Sequence, residues 1–392
     1  MTTLLSLVLL IFVAYIGSIF YQRLRINALW MKSFAYSGSV YLLLGYLIGP
    51  SSLKIVTMDI LDQLKVLFAL VLGWAGFLIG LQVNIRALKR FQISYYKFAT
   101  LNFIIALLLT YFALLYSFEQ IFHITDKNEI FILSLATAVT SPIIIGVVSR
   151  ERKLSGRLSH LLQFSAGYDN ILGIIIVGIF AAVVCDTTLI GGFHPGVLLI
   201  LVSAAIGLIA AYLYQLLSKE LKTEEENFLL LLGLMIFIVG IALYLSQSLL
   251  FISFVFGAGL ANRKMDTKKL FLNIEKIEKP LYILLLIYVG AKLDLTDPVY
   301  IALLTIFLAV NVLTKLLSGV MANYTLNKHS RLKKSIGLAN LGMGGLSLAL
   351  ILDFHLINSS EYTPILLFVL TISIILNDLF SMIYLDKITV KN

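Results

Sequence analysis

The sequence predicts an all-α, polytopic membrane protein of about thirteen transmembrane helices, arranged as two inverted six-helix repeats. Of its 392 residues, 60% are hydrophobic and 13% are charged, and the mean hydropathy is +0.97. Apolar runs recur at close to the roughly 20 residues that a spanning helix needs. Basic residues cluster in alternate loops between these runs. This composition excludes a soluble globular protein.

The apolar runs are numbered here as spans 1 to 13. Span 1 is too long for a signal peptide and lacks its basic start and cleavage site, so we expect it to be retained. The single cysteine, Cys185, excludes an internal disulfide framework, and no Cys/His cluster indicates a structural metal. The spans cover residues 2–21, 33–49, 64–83, 97–118, 129–149, 157–184, 193–217, 227–246, 248–262, 280–293, 298–325, 332–354 and 361–385.

Lysine and arginine residues indicate how the spans are oriented. With loops assigned alternately to two sides, four of the 30 basic residues fall on one side and Lys315 falls within a span, which leaves 25 on the other side. Short loops rich in Lys and Arg stay in the cytoplasm. We therefore expect an inner (plasma) membrane protein with its N-terminus outside and its C-terminus in the cytoplasm. The net charge of +9 reflects this orientation and not nucleic-acid binding.

An acidic residue, Asp169, lies in the middle of span 6. It is roughly twelve or more residues from either end, too deep for a short side chain to reach the interface. An isolated charge at that depth costs about 3 kcal/mol on insertion scales. Two interpretations stay open, a hydrogen-bonded Asp that holds helices together and a site on an ion or proton path. We favour the second.

Span 5 is interrupted by Pro142, which follows Thr140 and Ser141. A proline inside a helix removes one backbone donor and leaves one carbonyl without its partner. The freed oxygens and the two hydroxyl groups can ligate a small hard cation, or they can satisfy one another in a plain kink. Because Asp169 lies on the next span, we favour ligation, since broken helices at membrane depth occur where they line a cavity.

The thirteen spans divide into two halves around span 7. Six spans on each side of an odd linker have opposite orientations, as in an inverted repeat. Span 12 is the counterpart of span 5, and its glycine-rich residues 342–345 predict a second interruption. Span 11 carries Lys315, which is too deep for its side chain to reach the cytoplasmic surface. We therefore expect Asp169 and Lys315 to lie near each other where the interrupted spans cross.

Three further polar residues lie nearer the ends of the last two spans. Asp353 and His355, at the outer end of span 12, are expected at the membrane interface. Asp378 is roughly two turns from the cytoplasmic end of span 13. We expect it to be either a gate or a capped surface carboxylate.

In their order and spacing, these motifs resemble the monovalent cation/proton antiporters of the sodium/hydrogen exchanger superfamily, most of all its Kef-type bacterial branch. The likeness runs from about residue 45 to residue 385. It rests on residues 45–50, 77–81, 140–142, 169–173, 256–260 and 288–295 and on the span that carries Lys315. The resemblance implies the sodium/proton antiporter fold, with crossed discontinuous helices in spans 5 and 12. It also implies elevator-type exchange of protons for Na⁺ or K⁺, and a homodimer in the lipid bilayer.

The resemblance further implies a division of the chain into a fixed and a moving part. Residues 1–96 and 227–297, which hold spans 1–3 and 8–10, are expected to form the scaffold and dimer helices. Residues 97–192 and 298–392, which hold spans 4–6 and 11–13, are expected to form the moving core. Residues 193–226 hold span 7 and a cytoplasmic loop, and are expected to link the two halves.

The chain departs from the family pattern at the site itself. The family usually has two adjacent carboxylates, or a polar residue followed by Asp, whereas this chain has Asp169 followed by Asn170. Asp169 is therefore expected to be both the partner of Lys315 and the remaining proton carrier, with Asn170, Thr140 and Ser141 as neutral ligands. An amide cannot carry a proton, but its oxygen can ligate a cation. The monovalent cation is expected on Asp169, Asn170 and Thr140, and no cofactor is expected.

The missing second carboxylate motivates an alternative function. An antiporter fold that does not transport could serve as a membrane sensor or effector subunit for a soluble partner. The nucleotide-binding domain that Kef channels append is not found before Asn392, so such a regulator is expected to be a separate chain. An enzyme is not expected, because the sequence has no His-Glu-x-x-His pair, no Gly-x-Ser-x-Gly elbow and no facing membrane aspartates.

Overall fold

The computed structural model describes residues 38–122, 126–151, 156–184, 195–221, 223–263, 280–293, 299–326, 334–358, 360 and 362–390. Within these ranges the chain is helical and contains no strand. Span 1 and the start of span 2 lie outside the described residues. The polytopic, all-α fold class predicted from hydropathy is confirmed.

The described helices, labelled α1 to α15 in chain order, follow predicted spans 2 to 13. Seven helical segments of the described chain are long and apolar enough to cross a membrane, and α3, α11, α12 and α14 are shorter apolar helices. Their bounds are α1 Ser39–Ile48, α2 Met58–Gln63, α3 Lys65–Leu81, α4 Ile85–Leu88, α5 Ile93–Phe122, α6 Lys127–Ala138, α7 Pro142–Glu151, α8 Arg157–Val184, α9 Pro195–Leu217, α10 Glu224–Tyr244, α11 Leu249–Ala261, α12 Pro280–Ala291, α13 Val299–Asn323, α14 Gly344–Ile357 and α15 Thr363–Val390.

Large apolar side chains cover the outside of the protein as well as its interior. Examples are Phe112 on α5, Leu201 on α9, Phe237 on α10 and Leu313 on α13, all of which are exposed. Extended apolar surfaces are rare on soluble monomers. A helix that contacts lipid presents such a surface, because its backbone polar groups are all satisfied internally. The outer helices therefore have the surface of a multi-pass membrane protein.

Helices α3 and α11 cross with their backbones in contact. A Cβ atom built on Gly80 would lie 2.2 Å from the Phe254 carbonyl oxygen, and one built on Gly257 would lie 2.2 Å from the Phe77 carbonyl oxygen. Gly76 precedes Gly80 by four residues on the same face, the spacing that allows two membrane helices to approach closely. These glycines fix the position of α3 against α11.

Helices α5 and α13, which are counterparts in the two halves, pack side by side through buried polar groups. Thr110 Oγ1 donates to Thr314 Oγ1 at 3.0 Å, and Ser318 Oγ donates to Asn102 Oδ1 at 3.0 Å. All four side chains are buried. Hydrogen bonds of this kind hold membrane helices together. They orient α13 so that its polar face, which includes Lys315, points into the protein.

Both predicted interruptions are present. The first break, residues 139–141, separates α6 from α7. The second break, residues 341–343, follows the 3-10 helix Lys334–Asn340 and precedes α14. At the crossing, the Ser141 N–H donates to the Gly342 carbonyl oxygen at 2.7 Å. The Ser347 hydroxyl on α14 donates to the Ala136 carbonyl oxygen on α6 at 2.8 Å. The two broken helices therefore cross in contact, as the predicted fold requires.

Gly344 makes this close crossing possible. Its φ angle is +69°, in the left-handed region that other residues rarely adopt. A Cβ atom at this position would also lie 2.8 Å from Ser141 Oγ. Both the backbone conformation and the available space therefore require glycine where α14 begins.

Candidate functional site

Pro142 creates a hydrogen-bond acceptor at membrane depth, and Lys315 occupies it. Because proline has no backbone N–H, the Ala138 carbonyl four residues earlier loses its helical partner. Lys315, fully buried on α13, donates from Nζ to the Ala138 carbonyl oxygen at 3.0 Å and to Thr140 Oγ1 at 3.3 Å. The C-terminal end of a helix carries partial negative charge, which favours a cation there. Lys315 thus donates the hydrogen bond that the Ala138 carbonyl oxygen lacks at the C-terminal end of α6.

Asp169 reaches the same threonine hydroxyl from α8. Thr140 Oγ1 donates to Asp169 Oδ2 at 2.9 Å while it accepts from Lys315 Nζ. Asp169 is fully buried, and its Oδ1 has no hydrogen-bond partner among the residues that the structure describes. The sequence predicts that Asp169 and Lys315 are partners that lie near each other. In the structure, their described contact runs through the Thr140 hydroxyl.

The side-chain amide of Asn170 is hydrogen-bonded to the backbone of the first break. With the amide nitrogen turned toward the neighbouring carbonyl groups, it donates to the Thr140 carbonyl oxygen at 3.2 Å and to the Ala166 carbonyl oxygen at 3.3 Å. This orientation pairs donors with acceptors on both sides of the amide. Asn170 therefore ties α8 to the unwound residues next to Asp169.

Ser141 lies at the crossing of the two breaks. Its backbone N–H donates to the Gly342 carbonyl oxygen, and its side chain lies against Gly344. None of the described hydrogen bonds of Asp169 involves Ser141. Of the five predicted site residues, the structure brings Asp169, Asn170, Thr140 and Lys315 together, and Ser141 joins the two breaks.

Gly173 allows α8 to approach the first break. It follows Asp169 by four residues and therefore lies on the same helix face. A Cβ atom built on Gly173 would lie 2.7 Å from Val139 Cγ2. The glycine at the end of the Asp169–Gly173 motif thus has a packing role that places Asp169 within reach of Thr140.

A buried acid–base pair that the sequence interpretation missed joins α6 and α14. His355 Nε2 lies 2.8 Å from Glu129 Oε2, and both side chains are buried. The sequence predicts an interfacial His355, whereas in the structure its side chain is buried within the protein, because the end of α14 packs against the start of α6. The signal in the sequence was that Glu129 and His355 lie near the ends of spans 5 and 12, which are counterparts.

Asp353, which the sequence also predicts to be interfacial, is buried within the protein as well. Its side chain is fully buried and accepts hydrogen bonds from Ser248 Oγ at 2.5 Å, the Leu249 N–H at 2.8 Å and the Leu250 N–H at 3.3 Å. The first N–H groups of a helix have no partner within the helix. Asp353 satisfies those of α11, which begins inside the protein beside α14 and not at the surface.

Asp378 is buried as well and does not lie at the surface. Its Oδ1 accepts from the Met343 N–H at 3.0 Å, at the start of α14. The interpretation of Asp378 as a capped surface carboxylate is therefore right that the carboxylate is hydrogen-bonded at a helix start, and wrong that it lies at the surface. Asp378 is buried because the second break makes α14 begin inside the protein, where Asp378 binds the start of that helix.

Known proteins resemble this chain both in sequence pattern and in fold. The family model described as "Sodium/hydrogen exchanger, transmembrane" matches residues 6–382. A structure of the sodium proton antiporter MjNhaP1 from Methanocaldococcus jannaschii at pH 8 has a TM-score of 0.74 and 18% identity, covering 100% of this chain and 99% of that chain. A second structure of MjNhaP1, from an electron-microscopy map, has a TM-score of 0.63 and 18% identity, with coverages of 100% and 98%. A search of curated protein sequences finds no match.

Proposed function

Because this chain belongs to the sodium/hydrogen exchanger family, we propose that it exchanges protons for Na⁺ or K⁺ across a bilayer by elevator-type alternating access. The family is one of transporters and not of enzymes. The apolar helices make the chain a multi-pass membrane protein. We further propose that it is a homodimer in the inner membrane, with its N-terminus outside and its C-terminus in the cytoplasm, as its basic loops indicate.

One observation carries the proposal: a buried acid and a buried amine share the Thr140 hydroxyl at a helix break. Ionisable residues at membrane depth are costly and mark ion or proton paths. Unwound backbone and half-helix ends are where transporters bind cations. Asp169 Oδ1, which has no partner among the described residues, is an oxygen ligand in this position. These features support Asp169, Thr140 and Asn170 as the cation ligands.

The shared hydroxyl suggests how cation and proton movements are coupled. Thr140 Oγ1 accepts from Lys315 and donates to Asp169. A cation bound between Asp169 and Thr140 competes with the Lys315 ammonium for the same oxygen and the same negative charge. Two adjacent positive charges disfavour each other. Cation entry therefore displaces the ammonium and favours release of its proton, and cation release reverses both steps.

The helices that carry the site support the proposed division of the chain. Asp169, Thr140 and Lys315 all belong to residues 97–192 or 298–392, so the proposed core would carry the whole site as it moves. Helices α3 and α11, which pack backbone to backbone, belong to the proposed scaffold in residues 1–96 and 227–297. Residues 193–226 would connect the two halves through α9.

A flux assay on the purified protein tests the proposed function. The protein is reconstituted into proteoliposomes that contain a pH-sensitive dye, and Na⁺, K⁺ and Li⁺ are added one at a time over a range of pH. We expect at least one cation to drive proton movement in the opposite direction. Failure of every cation at every pH would reject the exchange of protons for these ions.

Asn170→Asp separates the transporter from the alternative, a transport-deficient sensor that works with a soluble partner. The introduced carboxylate would face the Thr140 and Ala166 carbonyl oxygens that the amide now binds. A working carrier is expected to keep exchange and to change its cation selectivity or stoichiometry. A silent wild-type protein that gains exchange with Asn170→Asp would instead support the sensor.

Thr140→Val is expected to lower exchange at subsaturating cation concentration by roughly 10- to 100-fold. Valine keeps the shape of threonine but removes the oxygen that joins Asp169 and Lys315. Hydrogen bonds to charged groups are worth about 1.5–3 kcal/mol, and about 1.4 kcal/mol corresponds to a tenfold change. Thr140→Ser keeps the hydroxyl and is the matched control. Equal activity of the Val and Ser variants would contradict the role of the hydroxyl.

A further inference from the structure

The second repeat contains a counterpart of the Asp169–Asn170 pair. The proposed mechanism does not use this counterpart. Asp169 and Asn170 lie on α8, the sixth and last span of the first half, and Asn377 and Asp378 lie on α15, the sixth and last span of the second half. Each acid is hydrogen-bonded to the break of its own half. Asp169 accepts from Thr140 in the first break, and Asp378 accepts from the Met343 N–H in the second.

The polar groups around the second break are buried and incompletely satisfied. Asn377 Nδ2 lies 3.4 Å from Met343 Sδ, and Asn311 Nδ2 on α13 lies 3.6 Å from the same sulfur. Both asparagine side chains are fully buried, and within the described part of the chain neither Oδ1 has a hydrogen-bond partner. A thioether is a weak acceptor, so neither end of these amides is well satisfied. Such groups in a protein interior call for an explanation.

The same three side chains carry oxygen ligands, two amide oxygens and one carboxylate. Asn311 and Asn377 contact the Met343 sulfur through Nδ2, and Asp378 accepts from the Met343 N–H, so the three side chains surround one residue. Hard cations prefer oxygen ligands of these kinds. Tyr282 on α12 is a titratable group that faces the cluster, since its hydroxyl would lie 2.6 Å from a Cβ atom on Gly345.

We propose that Asn311, Asn377 and Asp378 form a second binding site for the transported monovalent cation, related to the Asp169 site by the inverted repeat. This inference rests on the proposed exchange function and adds a second ion to it. Asn311 precedes Lys315 by four residues on α13, so the two sites share one helix face. Both sites fill before the core moves.

The number of bound ions and the cation dependence of exchange test this proposal. Radiolabelled Na⁺ and Rb⁺ are bound separately to detergent-purified protein, and the capacity per folded protomer is measured. We expect two ions for the wild-type protein and one for Asp378→Asn. We also expect cation-driven proton flux in proteoliposomes to be sigmoidal for the wild type, with a Hill coefficient clearly above one, and hyperbolic for Asp378→Asn.

Two further variants separate a binding role from a structural one. Asn311→Leu removes one proposed ligand but leaves the Asp378 bond to Met343, and it is expected to give the same loss of one ion and of sigmoidicity. Asp353→Asn removes a different buried carboxylate that also caps a helix start. This variant is expected to bind two ions and to give a sigmoidal flux curve, as the wild type does. A single ion and a hyperbolic curve in the wild-type protein would overturn the second site but leave exchange intact. Absence of any wild-type flux would instead reject the proposed function.

Discussion

Asp169→Asn is expected to abolish exchange, with a fall in cation-driven proton flux on the order of a hundredfold or more. The substitution keeps the size of the side chain but removes the carboxylate that accepts from Thr140. An amide has no negative charge with which to attract the cation or the Lys315 ammonium, and it cannot carry a proton itself. Loss of an interaction with a charged group, about 3 kcal/mol, corresponds to roughly this factor. The measurement is dye-reported proton flux in proteoliposomes with equal amounts of folded protein.

Asp353→Asn is the matched control for this substitution. Asp353 is equally buried and is also hydrogen-bonded, but it binds the start of α11 and does not contact Thr140 or Lys315. We expect this variant to retain exchange within about tenfold of the wild type when equal amounts of folded protein are compared, because replacing a helix cap lowers stability, typically by about 1 kcal/mol, and leaves the site intact. Undiminished flux in Asp169→Asn, or equal losses in both variants, would remove Asp169 from its proposed role.

Lys315→Met is expected to abolish exchange and also to destabilise the folded protein. Methionine fills much of the same space but leaves the Asp169–Thr140 pair without a nearby positive charge and the Ala138 carbonyl oxygen without its donor. Removal of one member of a buried, charged pair typically costs about 3–5 kcal/mol. Thermal unfolding in detergent, followed by tryptophan fluorescence, is expected to show a clearly lower midpoint than that of the wild type.

A double variant distinguishes an electrostatic effect from a packing defect. When Asp169→Asn is combined with Lys315→Met, no uncompensated charge remains, so we expect most of the lost thermal stability to return while exchange stays absent. Non-additivity of this kind is what coupled neighbouring residues show. Lys315→Arg keeps the charge and is expected to remain more stable than Lys315→Met. If the two single losses simply add, Asp169 and Lys315 do not interact.

The architecture was largely predictable from the sequence because its determinants are local. Apolar runs define the spans, and those of α8 and α11 match the predicted bounds within one residue. Pro142 and the glycines at residues 342–345 predict the two breaks, because one removes a backbone donor and the others weaken a helix. In each case the signal and the structure lie in the same few residues.

The details of the site were less predictable because they depend on contacts between distant segments. The sequence predicts that Asp169 and Lys315 lie near each other as partners, but it contains no signal that the Thr140 hydroxyl would lie between them. Asp353 and His355 resemble interfacial residues because they lie near the end of a span. They are buried because α14 packs against the starts of α11 and α6, which hydropathy along a single span does not report.

The crossing of α3 and α11 has a consequence for any movement of the protein. A layer of side chains between two helices can adapt to a small displacement by changing rotamers. At Gly80 and Gly257 no such layer exists, because the carbonyl oxygen of one helix directly faces the glycine of the other. A shift by one position would bring a larger residue against the opposing backbone. The two helices therefore form a rigid frame, and the core movement that we propose would have to slide along other surfaces, those built of side chains.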